Sequence, residues 1–152
     1  MTGPVPVQKP PVHVDVKWMG EGRFDAGRPG RPTIRIDTNS QTGPGPIDTL
    51  LCALCACTSE DLLGILEKRR TPVTNLQIHA VGLRAKRVPA RIESIDITYH
   101  IDGEAIEPDQ ALRAVHLAIE KYCSVRDTLD PAIPITYTAI VNGARATKEA
   151  AT

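Results

Sequence analysis

The chain has few aromatic residues: one Trp, one Phe and three Tyr among 152, or 3%. Its hydrophobic fraction is 41%, so any core must be built from Ile, Val, Leu and Ala. Net charge is also absent, because eighteen basic and eighteen acidic residues cancel. That removes the electrostatic case for a nucleic-acid or anionic-membrane partner. No run reads as approaching the roughly 20 apolar residues of a membrane span. The N-terminus, MTGPVPVQKPPVHVDV, lacks the apolar centre of a signal peptide. The expectation is a cytoplasmic protein with no nucleic-acid and no membrane partner. In a reducing compartment its four cysteines are reactive, metal-binding or buried rather than permanent bridges. Internal repeats are missing, and no glycine-rich loop of the phosphate-cradling kind stands between a strand and a helix.

What is present has the length of one ordinary domain. Residues 1–11 hold four prolines (Pro4, Pro6, Pro10, Pro11) and read as a flexible, extended arm. Val12, Val14, Val16 and Trp18 alternate with His13, Asp15 and Lys17, the period of a half-buried strand. After a Met19–Gly22 turn, Arg23–Ala26 and Thr33–Asp37 read as two further strands. A long helix follows, with Pro46 suited to its first turn, Asp48 to its positive end, and Lys68, Arg69, Arg70 and Pro72 marking its close. Leu50, Leu51, Leu54, Thr58, Leu62, Ile65 and Leu66 keep helical spacing. From Leu50 to Ala56 the helix is apolar or small on most sides, which predicts burial in a core or at a subunit interface. Two alternating strands come next, Leu76–Ala80 and Ile95–Ile101, joined by a basic loop around Arg84–Pro89. Glu107-Pro108-Asp109 opens a second helix with Leu112, Val115, His116 and Ile119 on its apolar stripe and Cys123 extending it. Ile133 to Val141 alternates as a closing strand, and residues 143–152 read as a polar C-terminal tail. One domain over 12–142 is expected. Segregated strands and helices predict an α+β fold with a mostly antiparallel sheet rather than a doubly wound βαβ fold.

Three cysteines sit in the long helix. At 100° per residue, Cys52 and Cys55 lie about 60° apart, whereas Cys57 points about 140° and 160° away from them. Cys52-x-x-Cys55 matches redox and zinc spacing, but no second C-x-x-C or H-x-x-x-H completes a zinc site. Both therefore read as small buried core residues, and no metal or cofactor is expected. Cys57 is open to two readings: a buried thiol, or a reactive one, which at mid-helix needs a cation held against it. Arg23, Arg28, Arg31 and Arg35 are the cations of the early strands and loops. Cys123 would meet the first helix if the two helices pack; a disulfide needs Cα atoms within about 7 Å. His13, His79, His100 and His116 have no ligand spacing. Ser59-Glu60-Asp61 could do acid–base work, but carboxylates on a helix usually form a solvated face.

The chain resembles the OsmC/Ohr proteins, bacterial thiol peroxidases. The resemblance rests on GPGPIDTLLCALCACT (Gly43 to Thr58), on EKYCSV (Glu120 to Val125) and on the Trp18–Phe24 stretch, and it spans roughly residues 12–142. It implies an OsmC-like fold: antiparallel sheets around a long central helix, in an intertwined homodimer. It also implies a hydroperoxide reductase in which Cys57 is peroxidatic and Cys123 resolving. The substrate would be an organic hydroperoxide, with hydrogen peroxide as a second substrate, and an external dithiol would restore the thiols. An arginine would stabilise the thiolate and peroxide; Arg23 is the match, with Arg35 and Arg28 behind it. The glutamate that Ohr-type members place ten residues before the peroxidatic cysteine is Ile47 here, with Asp48 next to it as its candidate replacement. That departure keeps a second reading open, a non-catalytic or redox-sensing small-molecule binder on the same scaffold.

Overall fold

The computed structural model describes residues 3–148; the last four residues of the expected tail lie outside them. Internal contacts divide the chain into two compact units, one up to Thr49 and one from Leu50.

The N-terminal unit begins with an exposed segment, residues 3–14, outside any helix or strand. It continues as a three-stranded antiparallel sheet of β1 (Asp15–Gly20), β2 (Arg23–Gly27) and β3 (Ile34–Asp37). The strands form where alternation predicted them, but Val12, Val14, Val16 and Trp18 are all exposed rather than half-buried. Period-two alternation fixes which side chains share a face and says nothing about what covers it. Asp37 closes β3 and organises the next loop. Its carboxylate accepts the N–H of Asn39 at 2.9 Å, of Thr42 at 2.9 Å and of Gln41 at 3.3 Å, and the Thr42 hydroxyl at 2.8 Å. Those donors favour the charged form and hold its pKa at about 2. Gly43 is required where this loop recrosses β3, since a Cβ there would come within 2.5 Å of the Arg35 carbonyl oxygen.

Helix α1 (Pro46–Lys68) runs 23 residues, about 34 Å at 1.5 Å per residue. Its start is capped from within the first turn: Asp48 reaches back to accept the Gly45 N–H at 2.9 Å. Burial on α1 follows one stripe, Leu54, Thr58, Ser59, Leu62 and Leu66. Within the single chain the core therefore covers one side of Leu50–Ala56, and only the subunit-interface alternative would cover the others. Leu50, Cys52, Ala53 and Ala56 are exposed, because the helix lies on a sheet that touches only one face. The sequence reading of apolar runs needs correction: α1 is long and apolar enough, by length and composition, to cross a bilayer, with a mean hydropathy of 1.6.

The C-terminal unit is a four-stranded sheet in the order β4 (Asn75–Arg84), β5 (Ile92–Asp102), β6 (Ile135–Val141), β7 (Ala144–Lys148). β4–β5 and β6–β7 are antiparallel, but β5–β6 are parallel, so the sheet contains one βαβ crossover that sequence order did not suggest. The crossover carries α2 (Pro108–Leu117), a π-helical turn over Ala118–Tyr122, and the short α3 (Ser124–Thr128). β7 occupies part of what read as a polar tail. The core lies between the helices and one face of this sheet: Leu54, Leu62 and Leu66 of α1, Ile97, Tyr99 and Ile101 of β5, Ala111, Ala114 and Val115 of α2, and Tyr137 and Ala139 of β6 are fully buried. Asp96, His100 and Asp102 alternate outward along β5.

Candidate functional site

Cys57 is half-buried on α1, and Cys123 is buried at 3% exposure at the N-cap of α3. The π-helical turn sets the position of Cys123. A regular helix from Pro108 would have kept it on a continuous stripe; instead its N–H bonds back five residues, to the Ala118 carbonyl at 2.9 Å, and the chain leaves the helix there in extended conformation. π turns of this kind are frequent at functional sites. The two thiols lie close enough for Cys57 to act on the titration of Cys123. Burial is the main cause that pushes the Cys123 thiol up to about 11, and the neighbouring Cys57 pushes the same way. The Arg126 N–H, 3.3 Å from the sulfur, opposes them. A cleft of about 360 Å³ reaches Cys123, with Ile119, Arg126 and Leu129 among its walls.

Cys52 and Cys55 lie on the other flank of α1. Cys55 is half-buried and its thiol is pushed up to about 11, first by burial and then by the charge of its neighbour Cys52. Cys52 itself is exposed, which corrects the expectation of a core residue. All four cysteines are free thiols.

Under the thiols runs a buried polar layer that periodicity alone did not expose. The Thr58 hydroxyl meets Tyr99 Oη at 2.7 Å and the Cys55 carbonyl oxygen at 3.2 Å. Burial raises the Tyr99 hydroxyl well above the ordinary phenol range, and Cys55, Cys123 and Tyr137 are close enough to add to the shift. Tyr137 is pushed up to about 12 by burial and by Glu120, and its hydroxyl lies 2.6 Å from His116 Nδ1. The signal for this layer was available in outline, since Tyr99 and Tyr137 both occupy inward positions of alternating strands.

The early-strand arginines all belong to the N-terminal unit. Arg23 on β2 is ion-paired with Glu21. Arg35 on β3 donates to Asp25 Oδ1 at 2.7 Å; that bond holds the Asp25 carboxyl below, and the Arg35 guanidinium above, the ordinary range. Arg28 and Arg31 are exposed. Asp48 is engaged in the helix cap, and Ile47 stands half-buried beside it. His13, His79 and His100 are exposed. Among the described residues no cluster of three or more His, Cys, Asp or Glu side chains could hold a metal ion.

Comparison with known proteins places this architecture. The family model described as OsmC-like protein matches residues 38–138. Protein YhfA of Escherichia coli strain K12 is 30% identical over 123 residues, covering 80% of this chain and 92% of that protein. The crystal structure of a hypothetical protein from Aquifex aeolicus VF5 superposes with a TM-score of 0.78 at 27% identity, covering 88% of this chain and 98% of that one. The organic hydroperoxide resistance protein OhrB of Bacillus subtilis shares the fold at 15% identity, with a TM-score of 0.58 and coverage of 85% and 97%. The thiol pair thus sits in a fold and a sequence pattern that agree, and the chain belongs to the OsmC-like protein family.

Proposed function

We propose that this protein is a cysteine-based hydroperoxide reductase with Cys57 peroxidatic and Cys123 resolving. The observation that carries the reading is the closeness of these two thiols, which come from elements far apart in sequence. The Cys57 thiolate attacks the distal oxygen of the hydroperoxide, the O–O bond breaks, and the alkoxide leaves as an alcohol after taking up a proton. Cys57 becomes a sulfenic acid. Cys123 then displaces the sulfenic oxygen as water, and an external dithiol reduces the resulting disulfide by thiol exchange. Arg23, with Arg35 and Arg28 behind it, is the proposed stabiliser of thiolate and peroxide, and the working form is a homodimer. Apolar surroundings favour organic over hydrogen peroxide, since each buried Å² of alkyl surface contributes about 25 cal/mol. The fold shared with an organic hydroperoxide resistance protein supports the same substrate class.

A second reading, a redox-sensing or non-catalytic small-molecule binder, is favoured by Ile47 and by the commitment of Asp48 to the helix cap. A stoichiometric titration with an organic hydroperoxide, followed by intact-mass and peptide mapping, separates the two. The enzyme yields a Cys57–Cys123 disulfide at one equivalent, Cys57→Ser abolishes turnover, and Cys123→Ser leaves a trappable sulfenic acid. Unchanged free thiols, or turnover surviving in Cys57→Ser, would sink the peroxidase assignment.

A further inference from the structure

The cleft of about 360 Å³ is lined by Cys123 and not by Cys57. Its walls come from both sides of Cys123 in the chain: Ile119 from the π turn, Arg126 and Asp127 from α3, Leu129 and Pro131 from the loop beyond. Arg126 ties these parts together. Its backbone N–H lies 3.3 Å from the Cys123 sulfur, and its guanidinium donates to the carbonyl oxygens of Asp130 at 3.2 Å and Ile133 at 3.0 Å. The Cys123 sulfur is therefore held beside a wall of the cleft, and the loop that closes the cleft hangs on the same residue. In thiol exchange the attacking sulfur approaches in line with the bond it breaks, so access decides which sulfur of a disulfide is attacked. A cleft that holds Cys123 without Cys57 offers that approach to the Cys123 sulfur.

We propose that this cleft admits the external reductant, a small or slender dithiol, which attacks the Cys123 sulfur of the disulfide and expels Cys57. The proposal rests on the reading above, in which Cys57 and Cys123 form that disulfide. A slender molecule fits because Cys123, at 3% exposure, lies below the reach of a folded protein's surface. Attack forms an S–S bond between reductant and Cys123, breaks the Cys57–Cys123 bond and leaves the electron pair on Cys57 as a thiolate. The second reductant thiol, as its thiolate, then attacks the first reductant sulfur. The reductant closes its own disulfide, and Cys123 departs as a thiolate and takes up a proton. Two electrons pass from reductant to protein, and the two protons lost by the reductant match the two thiolates released. The order matters because the Cys123 thiol, pushed up to about 11, is a poor leaving group. Attack at Cys57 would expel it in the bimolecular step. Attack at Cys123 defers its departure to the ring closure, where the second thiol is already held on the same molecule.

The test maps the intermediate in the full chain. Wild type is oxidised with one equivalent of cumene hydroperoxide and treated with 2-mercaptoethanol, a monothiol that cannot close a ring. Samples are quenched in acid, alkylated with N-ethylmaleimide and read by peptide mapping. The adduct is expected on Cys123 with Cys57 alkylated, at least about tenfold over the reverse pattern. An adduct mainly on Cys57, equal amounts on both, or none on Cys123 overturns the proposal and leaves the peroxidase reading intact. Leu129→Trp, which narrows the cleft, should slow reduction by dithiothreitol about tenfold while disulfide formation by peroxide stays within about twofold of wild type. Reduction of the variant at the wild-type rate overturns the cleft as the entry. Thioredoxin, a folded dithiol protein, should reduce the wild-type disulfide more slowly than dithiothreitol at equal dithiol concentration, and faster reduction overturns the slender class. Absence of a Cys57–Cys123 disulfide in peroxide-treated wild type overturns both readings.

Discussion

Asp37 and Cys123 are titratable groups moved in opposite directions by their surroundings. Asp37 sits among backbone N–H donors and is held at about 2, whereas Cys123 is buried with few donors and rises to about 11. The sign of each effect on stability follows from linkage. A depressed carboxyl stabilises the fold above its ordinary value of 3.8, and that contribution is lost as pH falls toward about 2. Asp37→Asn should therefore flatten the acid limb of stability. Thermal melts at pH 4.5 and 2.5 are expected to differ less in the variant than in wild type, and an equal difference would show that the Asp37 loop does not govern this window. A raised thiol acts at the other end: its contribution is intact below about 9 and is lost as pH rises toward about 11. At neutral pH Cys123 is thus protonated, the state from which a resolving step has to start.

At the scale of elements, α1 and the α2–π–α3 crossover divide the labour. α1 anchors itself through a narrow stripe and leaves the rest of its apolar girth open. Leu62 is fully buried in that stripe, while Leu50 is 38% exposed. Leu62→Ala should cost about 2–5 kcal/mol and Leu50→Ala under about half as much, because only the first leaves a cavity in a packed layer. Urea unfolding of the two variants checks this, and similar losses would contradict the single-stripe packing. The crossover contributes precision: its π turn drops Cys123 out of the helix and against Cys57, and the Thr58–Tyr99 hydrogen bond ties α1 to β5 beneath them.

For the whole molecule, the exposed apolar surface is the feature that the single chain leaves open. Val12, Val14, Val16 and the only tryptophan, Trp18 at 68% exposure, are all exposed on the N-terminal unit, and Cys52, Ala53 and Ala56 are open on α1. Scattered exposed hydrophobics are ordinary, but contiguous ones mark interaction surfaces. The proposed homodimer predicts light scattering at twice the chain mass, with Trp18 emission shifting to the red on dilution to monomer. Trp18→Asp should shift the equilibrium toward monomer. A wild-type monomer at all accessible concentrations would contradict the assembly.

The sequence alone determined the order of the first six strands and the two longer helices, the limits of α1 to within a residue or two, and the family. Those properties are local: alternation, helical spacing, proline and charge at helix ends, and contiguous motifs around Cys57 and Cys123. It also separated Cys57 from Cys52 and Cys55, since angles around one helix are fixed by backbone geometry. Cover and pairing were decided only by tertiary structure. The parallel β5–β6 pair, the strand at Ala144–Lys148 and the exposure of Val12 through Trp18 all depend on which surfaces meet across long chain separations. The same holds for the approach of Cys123 to Cys57. Helical spacing set the direction of Cys57, but the π turn and the β5–α2–β6 crossover brought Cys123 to it.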